Sequence, residues 1–197
     1  MTLALGRRSV PVTVSAWFVG MAALCAAAGP LWMLGLGLLS AALHELGHLA
    51  AMRVYDARAL KICLTAAGVR IERAPGLSLN FTQEIAIAFA GPAVSLLLAC
   101  LCFIVNRIAP LPPLSDCAAL NLGFGLFNLL PVRQLDGGRA LYFFLCGRVS
   151  EHSARRICLA ASLLCLFALT MCAAYVCLNV GLNFSLIVAV VYLAACC

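Results

Sequence analysis

Residues Glu84 to Val105, EIAIAFAGPAVSLLLACLCFIV, run for 22 positions with one charged side chain, and the chain repeats this pattern several times. An α-helix rising about 1.5 Å per residue crosses a hydrocarbon layer of about 30 Å in roughly 20 residues, so such runs read as membrane spans. Lipid offers the backbone no hydrogen bonds, which leaves helix as the form these runs take. Six spans are expected: roughly Val10 to Ala28, Pro30 to Met52, Glu84 to Val105, Cys117 to Pro131, Ile157 to Leu178 and Leu182 to Cys197. A composition of 65% hydrophobic and 10% charged residues in 197 agrees, since it lies far outside the soluble range. The expected fold is an all-α polytopic membrane protein forming one domain over residues 1–197.

The first apolar segment also has signal-peptide features, with Arg7 and Arg8 ahead of it and small residues from Ala26 to Gly29 behind. Its length and the Gly29-Pro30 turn into another span favour retention. With the amino terminus on one side, that side also receives residues 53–83, residues 132–156 and the carboxyl terminus. Twelve of the thirteen basic residues fall there and only Arg107 opposite. Positive charge marks the cytoplasmic side, so a cytoplasmic amino terminus in a bacterial inner membrane is expected. The net charge of +6 is then a topology signal that needs no nucleic acid, and the lipid bilayer is the partner it implies. The sequons Asn80-Phe81-Thr82 and Asn183-Phe184-Ser185 fall on the cytoplasmic side and at a membrane edge, where neither is read as glycosylated. Most of the twelve cysteines lie inside apolar runs and none forms a C-x-x-C pair, so they read as small hydrophobic filler.

Against that background His44, Glu45 and His48, in SAALHELGHLAAMRV, are out of place. Residues four apart share a helix face, so two imidazoles there can converge on one ion. Glu45 lies about 100° round the same helix, within reach of a water on that ion. Two neutral imidazoles, a water and a carboxylate to take its proton are the parts of a hydrolytic zinc site. A lone histidine would read as a satisfied polar group in a helix bundle, but ionisable groups grouped inside a span read as functional. A catalytic zinc takes a third protein ligand. Asp136, in FNLLPVRQLDGG with two glycines behind it, returns to the cytoplasmic side and is the best placed acid, while Glu72 or Glu84 is the alternative.

H-E-L-G-H in the second span, AGPAVSLLL in the third and NLLPVRQLDGG after the fourth, in that order, resemble the site-2 protease family of intramembrane zinc metalloproteases. The six-span outline is most similar to its bacterial sporulation-type branch, which processes a membrane-associated sigma-factor precursor. The resemblance implies one catalytic zinc held by His44, His48 and Asp136, with Glu45 as general acid and base. It also implies that Asn128 helps to hold the substrate main chain. Ser95 stands where the family often has asparagine, and Arg133-Gln134 where it is often richer in proline. Neither the nucleotide-binding domain of some sporulation-type members nor a PDZ module is recognised, so a separate regulatory membrane protein is expected.

Hydrolysis needs an extended substrate, because helix shields its carbonyls. The alternation at Val69, Arg70, Ile71 and Glu72, with Gly68 able to turn, predicts a short cytoplasmic β-hairpin within residues 60–74. Val69 and Ile71 would lie on the strand that meets an unwound substrate. Three other readings compete: a glutamate-ligand membrane metalloprotease, a metal transporter and a silent scaffold. A transporter would spread its ligands over several spans, and a scaffold has no use for Glu45.

Overall fold

Helix takes up the long apolar runs, as a backbone in lipid requires. The computed structural model describes residues 2–5, 8–14, 30–57, 59–65, 68–73, 79–179, 190–191 and 193–194. Its helices are α1 (Leu31–Val54), α2 (Phe81–Ile108), α3 (Pro112–Asn128), α4 (Asp136–Cys146) and α5 (Glu151–Asn179). Strands β1 (Thr2–Leu5), β2 (Arg8–Val14), β3 (Ala59–Thr65) and β4 (Gly68–Arg73) form a four-stranded sheet in the order β1-β2-β3-β4. The pairings β1–β2 and β3–β4 are antiparallel and β2–β3 is parallel. Val69 lies opposite Leu64 and Ile71 opposite Ile62, and β4 is an edge of the sheet.

Three expectations need correction. Strands stand beside the helices, so the chain is not all-α. Val10 to Val14 belongs to β2, where the alternation in RSVPVTV suits a pleated strand. The remainder of the first expected span lies outside the described residues. Among the described residues three helices, α1, α2 and α5, are long and apolar enough to cross a membrane, and most of the first and last of the six expected spans lies outside those residues. Helix α3 has 17 residues, or about 25 Å, and stops at Asn128 instead of reaching Pro131. The last expected span falls largely outside the description, with Val190, Val191, Leu193 and Ala194 helical.

Two compact units divide the chain: Met1–Leu79 with Ala90–Gly125, and Asn80–Phe89 with Leu126–Cys197. In the first unit, α1 buries Ser40, His44, Gly47, His48 and Met52, a stripe at helical spacing. At Gly47 a Cβ would lie 2.7 Å from the Ala90 carbonyl oxygen and 2.8 Å from Val94 Cγ2, so glycine is what lets α1 and α2 cross so closely. Asn121 of α3 donates from Nδ2 to Ser40 Oγ at 3.0 Å and to the Cys117 carbonyl at 2.9 Å, tying α3 to α1 one turn ahead of His44. Helix α1 ends in a Schellman turn, Ala57 N–H on the Met52 carbonyl at 2.8 Å and Asp56 N–H on the Arg53 carbonyl at 3.2 Å. Asp56 holds the left-handed conformation that this turn needs, with φ of 52°.

In the second unit, Asn80 and Gln83 cap α2 reciprocally: Asn80 Oδ1 accepts from Gln83 N–H at 2.8 Å, and Gln83 Oε1 accepts from Asn80 N–H at 3.0 Å. The first sequon is thus a helix start. Val132, Leu135 and Leu193 form the buried core of this unit, with Phe127, Leu130, Cys165, Leu166 and Leu169 packed on it.

Gly47→Val should overpack the α1–α2 crossing at a cost of about 1–3 kcal/mol. A lowered thermal unfolding midpoint in detergent checks this, and an unchanged midpoint counts against so tight a crossing.

Candidate metal centre

His44 and His48 lie on one face of α1, as their spacing requires, and both are buried. Their Nε2 atoms face each other at 3.2 Å, with ring centroids 4.9 Å apart and planes at 74°. Two ring nitrogens turned to one point inside an apolar helix are poised for an electrophile, since each neutral imidazole has one lone-pair nitrogen. The opposite nitrogen of His44, Nδ1, lies 3.0 Å from Ser95 Oγ on α2, and Ser95 is fully buried. When Nδ1–H donates to that hydroxyl, Nε2 is left as the lone-pair atom, the tautomer a metal ligand needs. Phe124 of α3 packs edge-on against the His44 ring at 4.9 Å and fixes its plane. Phe124 lies one turn beyond Asn121, so α3 braces α1 at two successive levels.

Gly91 completes this half of the centre. A Cβ there would strike His48 Nε2 and would stand 2.6 Å from His44 Nε2. The absent methyl group leaves open the space in front of both nitrogens. Glu45, next to His44, is half-buried on α1.

Asp136 belongs to the second unit, where it is the first residue of α4 and is buried. The start of a helix suits an anionic carboxylate, because the backbone N–H groups there carry partial positive charge. Its placement depends on the turn before it. Arg133 N–H donates to Ser162 Oγ at 3.1 Å, and Ser162 donates in turn to the Cys158 carbonyl at 2.8 Å, which holds residues 131–133 to α5. Leu135 N–H then reaches the Val132 carbonyl at 2.9 Å. Gly137 and Gly138 let the chain fold this closely, since a Cβ on either would collide with the carbonyl of Leu129 or of Val132. Asn128, the last residue of α3, is half-buried in the same unit.

The first unit thus holds two buried imidazoles and the second, by itself, a buried carboxylate. That chemistry fits zinc, which takes mixed imidazole and carboxylate ligands, and the space kept open by Gly91 fits an ion on the imidazoles.

Comparisons with known proteins lead the same way. Residues 106–169 match Peptidase family M50. A zinc metalloprotease of Methanocaldococcus jannaschii is 31% identical over 125 residues, covering 60% of this chain and 35% of that protein. Stage IV sporulation protein FB of Bacillus subtilis is 28% identical over 128 residues, covering 64% of this chain and 44% of that protein. The chain is thus similar to peptidase family M50 over residues 106–169. It spans about a third of the length of the first of these relatives and under half of the second. The solved site-2 protease of M. jannaschii shares the fold of this chain, with a TM-score of 0.70 at 24% identity, covering 98% of this chain and 91% of that one.

The sequence singled out the histidines and Asp136 but not the residues packed around them. Ser95 stood out as a departure from asparagine, yet nothing in the sequence paired it with His44. Phe124 and Ser162 sit in apolar stretches that carry no signal at all.

Ser95→Ala should weaken zinc binding by about 10–100-fold, the usual effect of losing a ligand's outer hydrogen bond, while Ser95→Asn should restore much of it. Zinc retention against a graded chelator measures the change, and wild-type affinity in Ser95→Ala would contradict this role.

Proposed function

We propose that this chain is an intramembrane zinc metalloprotease that hydrolyses a peptide bond of a membrane-embedded or membrane-associated protein near the cytoplasmic face. The observation that carries the reading is the pair of facing Nε2 atoms in front of Gly91, with Ser95 on the far nitrogen of His44. His44, His48 and Asp136 would hold one zinc. When bound there, zinc supplies Lewis-acid chemistry, making a water more acidic and polarising the scissile carbonyl.

The chain's own groups do the rest. Glu45 takes the proton of the attacking water and returns it to the leaving nitrogen. Ser95 and Phe124 keep His44 from rotating away, and Gly91 keeps the approach to both imidazoles clear. Asn128 offers an amide to the substrate main chain. Strand β4 lies at a sheet edge, and an extended substrate adds to such an edge through main-chain hydrogen bonds. Val69 and Ile71 are two residues apart, so their N–H groups point the same way and act together.

His44 lies ten residues before the end of α1 at Val54, about 15 Å along the helix axis. With the arginine-rich side cytoplasmic, the chemistry lies within the membrane but towards the cytoplasm. A regulatory factor bound to the membrane fits this depth as substrate, and a separate membrane protein fits as regulator.

Buried Glu84 favours a second reading, in which a glutamate is the third ligand. Asp136→Ala should lose zinc while Glu84→Ala keeps it; the reverse pattern would transfer the assignment to Glu84. Glu45→Gln should retain zinc and slow cleavage by about 10²–10⁴-fold, the usual weight of a general acid–base group. Co-expression with membrane-bound regulatory proteins, scored for uncleaved precursor, checks this. A precursor processed equally by wild type and Glu45→Gln would point to a scaffold. Proline at Val69 or Ile71 should impair cleavage with zinc retained, and normal cleavage by both variants would remove β4 from the substrate path.

A further inference from the structure

Eight described cysteines are free thiols, and the sulfurs of one pair touch. Cys102 on α2 donates to Cys117 on α3 with Sγ atoms 3.4 Å apart, and both residues are half-buried. The two helices form a hairpin whose connection is only residues 109–111, so the thiols are near neighbours in space although fifteen apart in sequence. That connection is ordered. Asn106 Oδ1 accepts from Leu111 N–H at 2.9 Å, and Ala109 N–H closes on the Val105 carbonyl at 2.8 Å. Pro112 opens α3, where its missing N–H costs nothing. On the other flank Asn121 donates to both the Cys117 carbonyl and, at 3.4 Å, its sulfur, while also holding Ser40 of α1. Cys117 therefore sits on a helix face held to α1 through Asn121.

We propose that Cys102 and Cys117 are a disulfide site that staples the α2–α3 hairpin. Sulfurs at 3.4 Å need to approach by about 1.4 Å to reach the bonded distance of about 2.05 Å, within the range of side-chain rotation. The chemistry is thiol–disulfide exchange with a low-molecular-weight disulfide. One cysteine thiolate attacks the oxidant to give a mixed disulfide and one free thiol. The second cysteine then displaces the other half, forming the Sγ–Sγ bond, so that two protons leave the protein thiols and the oxidant ends as two thiols.

The hairpin turn is also the end of α2 that carries Arg107, the basic residue assigned to the side away from the arginine-rich face. That is the side on which disulfides persist. The staple would join the two helices that brace His44, Ser95 being on α2 and Phe124 on α3. Its role is to hold that brace, and it does not depend on the identity of the third zinc ligand.

The test uses the full chain in mild detergent, where both membrane faces are accessible, so the outcome is independent of orientation. The protein is incubated with oxidised glutathione, alkylated with N-ethylmaleimide, digested and examined by mass spectrometry with and without prior reduction. The expected result is a Cys102–Cys117 cross-linked peptide and two fewer alkylated thiols before reduction than after. Cys102→Ser and Cys117→Ser should each abolish the cross-link. Cys102 and Cys117 both alkylated in the wild type, or each carrying glutathione, would overturn the proposal, and this reading needs no variant to fold.

Discussion

Two imidazole nitrogens 3.2 Å apart, inside a largely apolar helix, set the terms for everything around them. Such a pair is stable in lipid only if its outer nitrogens have partners and its inner ones have a cation to share. The first unit meets the first need with Ser95 and leaves room for the second at Gly91. Both residues come from α2, so the crossing of α1 and α2 must be tight and its depth exact. Gly47 against Ala90 provides that crossing, and a single methyl group at Gly47 or Gly91 would spoil it.

Polar groups in the first unit are arranged as a connected series rather than scattered. Ser40, His44 and His48 follow one another up the buried face of α1, met in turn by Asn121, Ser95 and Gly91. Each hydrogen bond between helices contributes modestly, on the order of 0.6 kcal/mol in membrane proteins. Their greater effect is on register, since sliding α1 by one turn so that Leu36 takes the place of Ser40 would leave the buried Asn121 amide without that partner. In the second unit the corresponding device is Ser162, which carries no charge and takes no part in chemistry but holds the turn that leads to Asp136.

Much of this was legible in the sequence because helical spacing is a rigid rule. The H-E-x-x-H spacing puts two rings on one face in any straight helix. Asn121, by contrast, carried no such signal, and only the structure pairs it with Ser40. The misreadings have physical causes too. Val10 to Val14 is apolar enough to pass for the edge of a span, yet its residues alternate, and alternation is what a sheet uses. Cys117 to Pro131 was read as one run, but α3 starts at Pro112 and stops at Asn128, where the turn that leads to Asp136 takes over. Cys102 and Cys117 looked like filler because nothing in a one-dimensional reading brings residues on two different helices together. The same limit hid Ser95, whose importance lies wholly in what it faces.

The account rests on an ion held by nitrogen and oxygen in a chain with twelve cysteines, each of which is a better thiolate competitor for zinc than a carboxylate if the site lies elsewhere. Zinc K-edge X-ray absorption on the purified full chain separates these directly. The account predicts one zinc per chain with nitrogen and oxygen neighbours at about 2.0–2.2 Å and two imidazoles in the outer shell signal. Sulfur neighbours at about 2.3 Å, or a spectrum without imidazole scattering, would contradict it.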